Sequence, residues 1–139
     1  MPETISYVAS GDLPVSRFLK PGGAQFTASL AASGDKPIGV SQEGSYYAPG
    51  LNGLTAAQLA TAAPDGKELR VYGDGEVGLL IVGANVSGEN LLKPDANGFG
   101  VPVDYTNTSA AQAYGFRTFE TAVSGNLVRG RVELGFYRG

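Results

Sequence analysis

Turn-forming residues interrupt this chain so often that no apolar stretch is long enough for an extended helix. Glycine occupies 21 of its 139 positions, and 8 prolines stand among short apolar runs. Glycine supplies positive φ and proline fixes a turn's φ, so the punctuation predicts short strands joined by tight turns. The runs themselves alternate. In residues 24–31, Phe26, Ala28 and Leu30 fall on one face and Gln25, Thr27 and Ser29 on the other, the period of a half-buried strand. Residues 112–120 set Ala113, Gly115, Arg117 and Phe119 against Tyr114, Phe116 and Thr118. Residues 127–137 set Val128, Gly130, Val132, Leu134 and Phe136 against Arg129, Arg131 and Glu133. Residues 77–82 are apolar on both faces and read as a central strand. Asp74-Gly75 is a two-residue hairpin signal, and Lys93-Pro94-Asp95-Ala96-Asn97-Gly98 joins Leu91-Leu92 to residues 101–103 as a second hairpin.

Thr55 followed by Gln58 is a capping box, which predicts one short helix over residues 55–63, stopped by Pro64 and Gly66. Residues 4–10 alternate weakly, and residues 13–23 carry Pro14 and Pro21, so residues 1–22 read as an N-terminal arm able to reach over a neighbour. Ile38-Gly39-Val40 leading to Leu69-Arg70-Val71 is echoed by Tyr114-Gly115-Phe116 leading to Leu127-Val128-Arg129. The expectation is an all-β single domain over residues 1–139 with one core, a β-barrel or jelly-roll-like sandwich with one short helix.

A net charge of −3 is too acidic for a nucleic-acid partner, which demands a dense Lys/Arg surface to displace counterions from phosphates. The balance is uneven, because residues 112–139 hold four arginines against two glutamates while the rest is acidic, so a basic edge could meet an acidic partner. No apolar run approaches the roughly 18 residues that span a bilayer, and Met1-Pro2-Glu3-Thr4 lacks the basic start of a signal peptide. A membrane is therefore not expected as a partner, and the reading is a soluble protein made in the cytoplasm.

The chain has no histidine and no cysteine. That removes Ser-His and Cys-His nucleophile systems, the common zinc sites, disulfides and thiol chemistry. Asp12, Asp35, Asp65, Asp74 and Asp95 each lie beside glycine or in a turn segment, where carboxylates ordinarily accept from backbone amides. Gly73-Asp74-Gly75-Glu76 and Asp95-Ala96-Asn97-Gly98 offer too few oxygens for calcium, and no phosphate-binding or dinucleotide fingerprint occurs. No catalytic residue, metal ligand or cofactor is assigned. A carboxylate enzyme, using residues such as Glu68, Glu76 and Glu120, is the weakest rival. Tyr46, Tyr47, Tyr72, Tyr105, Tyr114 and Tyr137 read as core or interface residues in preference to a carbohydrate platform. The interface candidates are Tyr46 and Tyr47, which lie together in a loop, with Arg129, Arg131, Phe136 and Tyr137 of the last strand.

Gly22-Gly23-Ala24-Gln25-Phe26, then Lys36-Pro37-Ile38-Gly39-Val40-Ser41, then Val86-Ser87-Gly88-Glu89-Asn90-Leu91-Leu92 running into the Asn97-Gly98 hairpin, occur in an order that resembles the small capsid cement, or decoration, proteins of tailed phages. The likeness spans residues 22–134 and includes the closing strand pair, but residues 42–66 are a longer insertion than compact members carry. The resemblance implies a module on the outside of the virion capsid that bridges neighbouring major capsid subunits, as a dimer or trimer of itself. Tyr46, Tyr47 and Phe136 would then serve as apolar anchors. A phage tail or baseplate part, or a carbohydrate-binding β-sandwich, is the alternative.

Overall fold

The structure, a computed structural model, describes residues 4–42, 55–107 and 110–138. Their order is β1 (Thr4–Ala9), β2 (Leu13–Pro14), β3 (Phe18–Pro21), β4 (Thr27–Leu30), β5 (Gly39–Ser41), α1 (Ala56–Leu59), β6 (Thr61–Ala63), β7 (Glu68–Tyr72), β8 (Val77–Ile81), β9 (Leu91–Pro94), β10 (Gly100–Pro102), β11 (Gln112–Thr118) and β12 (Leu127–Tyr137). The fold is all-β with one short helix. Strands β1-β4-β3-β5-β7 close into a barrel, and β10-β9-β11-β12-β8 form a second, five-stranded sheet. The edges of that sheet touch through a bridge between Val82 and Gly100. A small β2–β6 ladder completes the architecture.

A strand sends successive side chains to opposite faces, and here that property divides the interior. Phe18, Val40 and Tyr72 pack into one apolar cluster with Leu80, Leu92, Phe116, Val128 and Val132 of the second sheet. Their chain neighbours Leu19 and Val71, with Leu69 and Ile38, pack into another with Ala9, Leu13, Ala28, Ala62 and Ala63 inside the barrel. Strands β3, β5 and β7 are thus a wall with a core on each side, and all of β5 is buried. The single core expected from chain length becomes two cores sharing that wall. Where the second sheet crosses the barrel, the approach is too close for a side chain: a Cβ on Gly115 would stand 2.7 Å from Pro37 Cγ and 2.8 Å from Phe18 Cε1.

Polar contacts pin the joint. Phe18 N donates to Gly98 O at 2.8 Å and Ile81 N to Ser16 O at 2.9 Å. Buried Ser41 donates from Oγ to Pro14 O at 2.7 Å and accepts from Arg17 N at 3.1 Å. The Arg17 guanidinium lies 3.9 Å from the Phe99 ring centre and donates to Asn97 O at 3.0 Å. Burial holds its pKa below the usual arginine value, against the opposing pull of Asp95.

Several expectations change. From Thr4 on, the proposed arm is part of the folded body: β1 pairs with β4 and β7 and β3 with β4 and β5 in the barrel wall, β2 pairs with β6, and Leu13, Phe18 and Leu19 are buried. Burying those large side chains outweighs the turn signal of Pro14 and Pro21, which sit at strand ends. The capping box forms, with Gln58 N donating to Thr55 Oγ1 at 3.1 Å and Thr55 N to Gln58 Oε1 at 2.9 Å. Yet α1 ends at Leu59, because Ala62 and Ala63 are drawn into the barrel core as part of β6. Asp74-Gly75 is a turn but not a hairpin: β7 belongs to the barrel and β8 to the second sheet, so the chain changes layer there. Strand β8 is an edge, paired in a ladder only with β12. The Asn97-Gly98 hairpin forms as expected, with Pro94 opposite Gly100. Both halves of the internal echo are antiparallel neighbours, β5 with β7 and β11 with β12, one pair in each large sheet.

Candidate protein-docking face

Strand β12 alternates from Leu127 to Val132. Val128, Gly130 and Val132 point to the core, so Leu127, Arg129 and Arg131 face out. Register then builds the outer face in rows: Arg131 lies opposite Val77 on one side and Arg117 on the other, Arg129 lies opposite Leu79, and Leu127 lies opposite Ile81. Phe119 joins them, its N donating to Arg129 O at 3.0 Å. Val77, Leu127 and Phe119 are 50%, 47% and 45% exposed. This is an apolar patch on an edge strand, interleaved with guanidinium groups.

The electrostatics of the patch are one-sided. Arg117 and Arg131 are direct cross-strand partners, a like-charge pairing that costs stability unless offset. Arg117 is offset by Glu133, its Nε donating to Oε2 at 2.7 Å, and that bond holds the guanidinium pKa above its usual value. Arg131 lies 5.9 Å from the Phe119 ring centre. Among the described residues no carboxylate forms an ion pair with Arg129 or Arg131. Glu120 approaches Arg129 only at the backbone, where Arg129 N donates to its Oε1 at 3.1 Å.

Of the interface candidates within the described residues, the structure brings Arg129 and Arg131 together and sets Phe136 and Tyr137 apart from them. Phe136 keeps the phase of Val132 but lies past the end of the core, where it is 58% exposed with Lys36 Nζ 5.4 Å from its ring centre. Tyr137 packs edge-to-face on Tyr105 at 5.1 Å, and Tyr105 Oη accepts from Leu91 N at 2.8 Å. Tyr46 and Tyr47 lie outside the described residues. Missing from the candidates were Val77, Leu79, Leu127 and Phe119. Residues 77–82 are apolar on both faces, a pattern that fits burial and exposure at an edge alike; the pairing of β8 in a ladder with β12 alone decides for the edge.

The aspartates cap backbone as expected. Asp12 accepts from Asp65 N, Asp65 from Gly11 N, Asp35 from Ala32 N, Asp74 from Leu134 N, and Asp95 from both Asn97 N and Phe99 N. Glu76 accepts from Gly73 N at 3.1 Å, while Glu68 lies on β7 of the barrel. Among the described residues no group of three or more Asp or Glu is placed to hold a metal ion, and no helix is long and apolar enough to cross a membrane.

No protein-family model matches the chain, and no curated protein sequence matches it. Among solved structures, the N base of head fiber gp8.5 in bacteriophage phi29 superposes with a TM-score of 0.61, covering 96% of this chain and 95% of that one. At 19% identity, what the two chains share is the fold.

Proposed function

We propose that this protein is a structural component of a phage head, a cement protein that docks on the capsid exterior and ties neighbouring major capsid subunits together. The observation that carries the reading is the outer face of β8, β12 and β11. There Arg129 and Arg131 stand with no carboxylate partner among the described residues, between exposed apolar side chains, on a fold shared with a head fiber base. A face with that chemistry fits an acidic protein surface, since apolar contact supplies affinity and the guanidinium groups supply orientation and encounter rate. It also disfavours two copies meeting face to face, because the arginines would repel. Self-association as a dimer or trimer would therefore use other surfaces.

A ligand that binds only the mature lattice stabilises it by mass action, about 2.7 kcal/mol per site at a hundredfold excess over Kd. Repeated over a shell, that resists pressure from packaged DNA. The test is sedimentation of the purified chain with DNA-free heads that lack it. Co-migration at a fixed stoichiometry is expected, with binding roughly tenfold or more weaker for Arg129→Glu/Arg131→Glu and weaker as salt rises. Protein that stays free at every concentration would remove the proposal.

A further inference from the structure

The turn between β3 and β4 carries a feature that the fold alone does not require. Phe26 sits at φ +58° and is 67% exposed, the most exposed large apolar side chain among the described residues. A bulky residue is rarely held in the left-handed region, and burial is the usual compensation for keeping a phenyl ring. Phe26 has neither an easy backbone nor a buried side chain. Sequence alternation had placed it on a core face with Ala28 and Leu30, but only Ala28 is fully buried there.

The turn is nevertheless well fixed. Thr27 Oγ1 donates to Ala24 O at 2.5 Å and accepts from Ala24 N at 3.2 Å. Gly22 N donates to Thr27 O at 2.9 Å, and Val8 N to Phe26 O at 2.8 Å, tying the tip to β1. Residues 21–34 carry no charge. A rigid, uncharged loop that presents one aromatic ring is preorganised to enter a pocket, because little ordering entropy remains to be lost on binding.

We infer that Phe26 is a second docking point, an anchor that inserts into an apolar pocket on a capsid subunit. This rests on the proposed function. Bridging two subunits needs two contacts, and the tip is built by barrel strands that share no residue with the arginine face on β8, β11 and β12. The absence of charge at the tip selects an apolar pocket, whereas the arginine face selects an acidic surface.

The decisive variant is Phe26→Gly, which removes the ring and relaxes the backbone at one stroke. Purified wild-type and variant chains are titrated onto DNA-free heads lacking this protein, and their melting temperatures are measured alongside. The variant is expected to melt at or above the wild-type temperature and to bind heads roughly tenfold or more weakly. Head binding within twofold of wild type overturns the anchor and leaves the proposed function standing. So does a lowered melting temperature, which would assign the ring to the fold, or a loss of self-association with head binding intact, which would assign the pocket to a second copy. Wild-type chains that fail to bind heads overturn both.

Discussion

Ser41 is a polar side chain with no exposure at the centre of the wall, and its hydroxyl replaces a backbone partner that strand pairing cannot supply there. It donates to Pro14 O and accepts from Arg17 N, two groups on the segment that joins the β2–β6 ladder to barrel strand β3. Ser41→Ala would leave both buried groups short of a partner, so urea unfolding should show a loss of about 1–3 kcal/mol. A loss under about 0.5 kcal/mol would mean that relaxation or water replaces the hydroxyl. Residues whose role is local were legible in the chain itself. Asp35, Asp95 and the Thr55–Gln58 box act on amides two to four positions away, so residue type and spacing sufficed; for Asp12, Asp65 and Asp74 the turn chemistry was legible but not the partners, which lie 53 to 60 positions distant. Ser41 and Phe26 were not legible, because one depends on a segment 24 to 27 positions distant and the other on a positive φ that nothing in Gln25-Phe26-Thr27 announces.

Among elements, alternation told which residues form strands better than it told which strands are neighbours. Strands β11 and β12 lie where the period of two places them, but the period is silent on layer, so it does not show that the chain changes layer at Asp74-Gly75 or that β8 is an edge. Glycine is the clearest residue-level trace of element contact. A Cβ on Gly39 would run into the Tyr72 backbone oxygen and the Val71 side chain of the adjacent strand β7, and a main-chain carbonyl in a closed barrel has no room to retreat. Gly39→Ala should therefore cost about 1–3 kcal/mol or prevent folding. Gly23→Ala meets nothing within 4 Å and has an ordinary φ, so it should be neutral or stabilising by up to about 1 kcal/mol. Equal melting temperatures for the two variants would refute the close approach of β5 to β7.

At the scale of the molecule, two cores on one wall make a mechanical argument as well as a topological one. Phe18 and Leu19 are adjacent on β3 yet serve different clusters, as do Val71 and Tyr72 on β7, so neither core can melt without disturbing the backbone that orders the other. The cross-layer bonds from Phe18 N to Gly98 and from Ile81 N to Ser16 reinforce that coupling. The proposed tie between subunits would need this property, since load applied at one layer must reach the other without a hinge giving way. The prediction is a single cooperative transition. Phe116→Ala, in the second-sheet core, should cost about 3–5 kcal/mol, and Leu69→Ala, in the barrel core, about 2–5 kcal/mol. In amide hydrogen exchange, each should lower the protection of the slowest amides in both layers by the same amount. Loss confined to the mutated side would show that the wall separates two independent units, and a rigid bridge could not be built from them.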